Sequence, residues 1–285
     1  MLTCLLSAAL VQAPQVQPQV AVSGLPSPMD ALIKTKDWAG LADWFETVPP
    51  ATRGKYYEWW IQSLNRSQRW DRLLVVCEAL QSQLEAKSGP RLGTYRLYRA
   101  QALSHLGRHA EAARAHAENG RMGFSDGFPN ACAEARLAQD WNGLLAFSEE
   151  LLQQHPQNAF GLTWKGEALA RMDRFADAEP LLRSAVERDP KNASAWNNLG
   201  RCFNGRQAWT EATAAFDKAL ALEPTQLEAL FNRGRARFEL KHYKESRDDF
   251  RAALALQPGN PILIENLRQA ERYAALPVPK PRRKP

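Results

Sequence analysis

Residues 193–224 read ASAWNNLGRCFNGRQAWTEATAAFDKALALEP. Trp196, Leu199, Gly200 and Phe203 fall at i, i+3, i+4 and i+7, the spacing of one helical face. A second stripe runs through Ala212, Phe216 and Ala219. Gly205-Arg206-Gln207 separates the two, and Pro224 ends the second because proline has no N–H to continue a helix. The stretch is a pair of helices joined by a tight turn. No β-rich alternating run occurs anywhere in the chain, so the expected class is all-α.

The same pair is written again on either side. The aromatic Trp209 has counterparts at Trp38, Trp70, His109, Trp141, Phe175 and Tyr243, with steps of 32, 39, 32, 34, 34 and 34 residues. Proline recurs at Pro156, Pro190, Pro224 and Pro258. The 39-residue step is 34 plus five, and Pro90 is displaced by the same five, so one insertion explains both. The phrase DWAGLADWF at 37–45 returns as DWNGLLAFS at 140–148, a gap of 140 − 37 = 103 residues, which is 32 + 39 + 32.

This pattern resembles the tetratricopeptide repeat, a 34-residue unit written W-x2-L-G-x2-Y…A-x3-F…P. Trp196, Leu199, Gly200, Phe203, Ala212, Phe216 and Pro224 match it nearly letter for letter. Leu162, Gly166, Leu169, Ala178, Leu182 and Pro190 match before it, and Leu230, Gly234, Ser246, Phe250 and Pro258 after it. The resemblance implies an α-solenoid, a right-handed superhelix of helix-turn-helix repeats with a concave groove lined by the first helix of each. It covers roughly residues 54–275 and is specific over 159–275. Upstream, Ile61, Leu73, Cys132 and Leu144 stand where the clear repeats have small residues, so wider helix spacing is expected. Pro180 lies early in a second helix and is expected to kink it. The nine tryptophans are expected in the core.

The chain thus divides into four parts. Residues 1–28 form a leader and linker, 29–158 degenerate repeats, 159–275 three clear repeats (159–260) with a closing helix of polar far face, and 276–285 a tail. The leader has an apolar run, Leu2 to Val11, too short to span a membrane. Two readings stand for it. One is a secretory signal, placing the body in the periplasm or outside the cell; the other is a disordered segment or a misassigned start, with the protein cytoplasmic. The formal charge is +6, of which Lys280, Arg282, Arg283 and Lys284 contribute four, leaving 6 − 4 = +2 on the rest. The body therefore lacks a nucleic-acid signature, and the tail carries the alternative of binding nucleic acid or an anionic surface. Cys77, Cys132 and Cys202 are far apart with no metal-ligand spacing, so free buried thiols are expected.

The groove-facing places are 2, 5, 9, 12 and 13 of each repeat. They hold Phe160, Thr163, Glu167, Ala170 and Arg171, then Ser194, Asn197, Arg201, Asn204 and Gly205, then Glu228, Phe231, Arg235, Phe238 and Glu239. The expected partner-binding residues are Phe160, Arg171, Asn197, Arg201, Asn204, Phe231, Arg235 and Phe238. The asparagines would bond a peptide backbone and the arginines would hold carboxylates. The three phenylalanines are expected to face solvent, surplus to packing. The plain alternative pairs Arg201 and Arg235 with acids such as Glu228. A subclass of the family clamps a C-terminal carboxylate with Lys and Asn, then Asn, then Lys and Arg. Asn198 fits the middle role, but Thr163, Glu167, Glu228 and Asn232 occupy the others, which argues against that mode.

No nucleophile elbow, phosphate loop or HExxH motif is present, so catalysis, a metal, a cofactor and a small-molecule substrate are not expected. His105 and His109 read as surface residues. The adjacent pairs Glu149-Glu150 and Asp248-Asp249 diverge on their helices and read as solvated faces. The expected function is a non-enzymatic scaffold binding a peptide or helix of another protein.

Overall fold

The computed structural model describes residues 25–84 and 91–275, and every regular element among them is an α-helix. The leader up to residue 24, Pro90 and the basic tail lie outside the described residues. The molecule is an α-solenoid of paired antiparallel helices, in two compact units that divide between Phe147 and Ser148.

The first unit holds α1 (Ser27–Lys34), α2 (Trp38–Thr47), α3 (Pro50–Lys55), α4 (Tyr57–Arg66), α5 (Trp70–Leu84), α6 (Arg91–His105), α7 (His109–Arg121), α8 (Gly127–Leu137) and the start of α9 (Trp141–Gln154). The first described helix opens at Ser27, with Met29 fully buried, so the end of the expected linker is already helix. The repeated DW phrase proves to be a helix cap. Asp37 accepts the amide of Gly40 and Asp140 that of Gly143, each at 2.9 Å, satisfying an orphan N–H of α2 and of α9. Ile61 and Leu73, large where the clear repeats are small, are buried against each other's helices with Leu64, Leu103 and Ala112. The unit also buries His116, whose imidazole burial pushes down to about 4. An unfolded histidine takes its proton near 6.5. Stability is therefore complete above about 6.5 and declines as pH falls toward 4, by on the order of 3 kcal/mol. Urea melts across that range should show the slope, and His116→Gln should flatten it.

The second unit repeats two lengths. First helices have 13 residues: α10 (Ala159–Arg171), α12 (Ala193–Gly205) and α14 (Leu227–Glu239). Second helices have 14: α11 (Phe175–Arg188), α13 (Trp209–Leu222) and α15 (Tyr243–Leu256). The closing helix is α16 (Pro261–Ala274). Each proline is followed two residues on by a capping position. Asn158, Asn192 and Asn260 accept backbone amides there, whereas Gln226 makes no side-chain cap. Helix α11 runs unbroken through Pro180, which is exposed. The outer face of α16 is not purely polar, since Ile262 and Ile264 are exposed on it.

The turn inside each pair is uniform. Lys36, Gln68, Gly107, Gln139, Asp173, Gln207 and Lys241, each two residues before a periodic aromatic, adopt left-handed backbone with φ between 55° and 72°. Six of these seven residues are not glycine. Gly205 serves a different end: it is still helical, and a Cβ there would run into the Phe175 ring.

That contact explains the period. The recurring aromatic opens the second helix of each pair, and Trp38, Trp70, His109, Phe175 and Tyr243 each meet the end of the next helix in the stack. The Arg66 guanidinium lies 4.2 Å from the Trp38 ring, Trp70 stacks on His105 at 3.9 Å, and Tyr243 meets Tyr273 at 5.1 Å. His109 substitutes a hydrogen bond of 2.8 Å to Glu134. These aromatics bracket neighbouring repeats and are half-buried. Of the nine tryptophans only Trp59 is buried, so the expectation of a tryptophan core is corrected. The core of each clear repeat is elsewhere: the side chains of Leu182, Phe216 and Phe250 lie against Gly166, Gly200 and Gly234.

Candidate functional site

In the second unit α12 packs on both α10 and α14, while the main contacts of α11, α13 and α15 are with first helices or with α16. The first helices therefore lie on the inside of the curve, where the sequence places them. Helical spacing then turns Asn197, Arg201 and Asn204, at i, i+4 and i+7, onto one inward stripe of α12.

The expected residues divide by burial. Phe160 is 56% exposed, with its ring 5.9 Å from Trp164. Arg235 is exposed and its guanidinium lies 5.9 Å from the Phe231 ring. Phe231 and Phe238 are half-buried, which corrects their assignment to solvent. Phe231 packs on Phe250 at 6.0 Å, and Phe238 sits edge-on to Tyr243 and Tyr273 at 5.2 and 5.3 Å because α16 closes over it. Thr163, Glu167, Ala170 and Asn197 are buried, as is Asn198.

The polar side chains of the stripe are incompletely bonded. The Oδ1 atoms of Asn197 and Asn204 are buried without a hydrogen-bond partner, although Asn204 Nδ2 donates to the Asn232 carbonyl at 3.0 Å. Arg201 Nη2 reaches the Ala170 carbonyl at 3.4 Å, and among the described residues no carboxylate lies within 4.0 Å of it. Burial, and then the positive charge of Arg171, push the Arg201 guanidinium below its usual range, against the pull of Glu228 and Glu167. The acid Glu228 is taken instead by Arg171, whose Nη2 donates to Oε1 and Oε2 at 2.8 and 3.0 Å; Glu167 lies 3.8 Å from the same nitrogen. The pairing of Arg201 or Arg235 with Glu228 is thus replaced by a bridge from the last residue of α10 to the first turn of α14.

Models of the tetratricopeptide repeat match residues 163–226 and 227–260. The chain carries tetratricopeptide repeats. Solved structures with this fold include residues 41 to the end of MamA from Desulfovibrio magneticus RS-1, with 19% identity and a TM-score of 0.51 over 61% of this chain and 98% of that one. The ArsTM double mutant of MamA RS-1 gives 20% identity and 0.50 over 59% and 96%. The second repeat domain of human RPAP3, solved with an HSP70 peptide, gives 25% identity and 0.39 over 41% and 97%. No curated protein matches the chain.

The repeats extend the same places into the first unit, which sequence reasoning did not use. Counting from the aromatic at place 17 puts Asn65 at place 12 and Gln101 at place 9, and the side-chain oxygens of both are buried without partners. Glu134, fully buried, accepts from Ser104 Oγ at 2.6 Å and bonds His109 Nδ1 at 2.8 Å. The carboxylate stands between serine and histidine, so this is not a nucleophile held by its base. His105 stacks on Trp70, and among the described residues no cluster could hold a metal. No helix there is long and apolar enough to cross a membrane.

Proposed function

We propose that residues 159–260 form a non-enzymatic protein-interaction module whose inner face binds an extended segment of a partner. The inward stripe of α12 carries this reading. Buried polar atoms are nearly always paired, and each one left unpaired costs about 1–3 kcal/mol. Two amide oxygens and a desolvated guanidinium on a single stripe are a standing cost to the free protein. An extended backbone supplies the missing N–H donors, and Phe160 offers an apolar contact beside the stripe.

The test uses a partner isolated by cross-linking to the full chain and its affinity measured by titration. Asn197→Leu with Arg201→Met should weaken binding at least about tenfold, or about 1.4 kcal/mol. The same change should leave stability equal or raise it by about 1 kcal/mol, since it removes unsatisfied groups. Undiminished affinity would sink the reading. Phe231→Ala is unsuited to this purpose, because its ring also packs on Phe250.

A further inference from the structure

Arg171 ends α10 and Glu228 opens α14, with the whole of α12 between them in the stack. Their bridge therefore crosses the inner face over the stripe that the proposed ligand would occupy. Nothing in the packing of three helices requires a clasp at that place. The equivalent of Arg171 in the next repeat is Gly205, and the equivalent of Glu228 is Ser194.

We propose that the bound segment carries an acidic side chain where it crosses α12, and that Glu228 holds its place in the free protein. This rests on the groove reading above. The two arginines meet at the end of α10: Arg201 reaches the carbonyl of Ala170, and Arg171 is the next residue. Glu228 satisfies only Arg171. A carboxylate set between them meets two guanidiniums where Glu228 meets one, and Arg201 gains the acid it lacks. The exchange is cheap on the leaving side. The Glu228 side chain is 53% exposed and can turn into water, whereas that of Arg171 is 23% exposed and stays. Arg235, also without an acid partner among the described residues, adds positive charge one repeat on. A lysine-bearing segment would be repelled there, and a neutral one would leave Arg201 without a carboxylate in direct contact, with only the more distant charges of Glu167 and Glu228 to offset it. Because repeats flank α12 on both sides, the segment passes through and offers a side chain, not its terminus.

Fluorescence anisotropy of the full chain decides this, using a labelled, C-terminally amidated peptide alternating glutamate with leucine. Its probes for comparison are the glutamine counterpart, amidated and with a free C-terminus. The glutamate peptide should bind at least about tenfold more tightly than the amidated glutamine one, and salt should weaken it. Glu228→Gln should tighten the glutamate peptide about three- to tenfold without changing the glutamine peptide, by removing the carboxylate that competes for Arg171. Arg201→Met should abolish the preference. An unchanged or weaker affinity in Glu228→Gln, with an unchanged melt, overturns the clasp. Equal affinity for both amidated peptides, lost together in Asn197→Leu, overturns the acid preference and leaves the groove standing. Preference for the free C-terminus moves the carboxylate to the chain end and overturns the side-chain assignment. Binding of no peptide overturns the acidic-segment proposal, and the partner titration above then judges the groove separately.

Discussion

Asp249→Ala lowers the stability of the protein by about 3–5 kcal/mol, the range for removing one partner of a buried ion pair. The carboxylate of Asp249, on α15, is buried and accepts from Arg233 Nε and Nη2 at 3.0 and 2.6 Å and from Arg237 Nη1 at 2.8 Å. Asp217 of α13 bonds the same two guanidiniums from a more exposed position, at 2.7 and 3.3 Å. Burial lowers Arg233, but the two carboxylates overcome it and hold its pKa above the usual value. Without Asp249 two arginines stay largely buried with only Asp217 to share. Asp248→Ala, one residue away on the solvent side, should change stability by less than about 0.5 kcal/mol. Denaturant unfolding of both variants gives the comparison, and a loss below about 1 kcal/mol for Asp249→Ala would show that water replaces the carboxylate freely. A rescue is available inside the molecule. Places 7, 11 and 23, which hold Arg233, Arg237 and Asp249, hold Leu199, Phe203 and Ala215 one repeat earlier, all buried. Transplanting that trio should restore most of the loss, as apolar replacements of buried ion pairs do.

The same trio shows why part of the molecule was readable from sequence. Adjacency correctly made Asp248 and Asp249 diverge, but it does not say that both are solvated; one of two opposite faces on a second helix meets its first helix. The signal that would have found the network is positional: three charges at places where the preceding repeat is apolar. Local periodicity was sufficient for the helix pairs and for the glycines under Leu182, Phe216 and Phe250, and the absence of ligand spacing was sufficient for free, buried Cys77, Cys132 and Cys202. Those features depend on neighbours within one repeat. The Arg171–Glu228 bridge joins the first and third clear repeats across the second, so it follows from the curvature of the stack, which 34-residue spacing does not state. Place counting put Asn197, Arg201 and Asn204 on one stripe, yet could not reveal that two of their atoms would be buried without partners. Phe238 is half-buried where solvent exposure was expected because the repeats end there. The closing helix supplies Tyr273 where another repeat would continue the inner face.

Phe216→Ala should cost about 3–5 kcal/mol, and Trp209→Ala, a larger deletion, only about 1–2 kcal/mol. Counting atoms removed would order them the other way, and so would a reading of the periodic aromatic as core. The difference lies in what surrounds each ring. Phe216 is fully buried against Gly200, where even a Cβ would come within 2.7 Å of the ring. Glycine has no side chain to swing into the space, and the close approach of α12 and α13 is itself set by that ring. Deleting it leaves a cavity that can collapse only by moving a helix, the condition under which large-to-small changes cost most. Trp209 stands in the first turn of α13 and is half-buried. Its loss opens a notch that water fills, and forfeits only the buried part of its apolar area. Urea unfolding of the two variants measures both. An equal or larger cost for Trp209→Ala would mean that the contact between neighbouring repeats, and not the glycine-backed ring within each, holds the stack together.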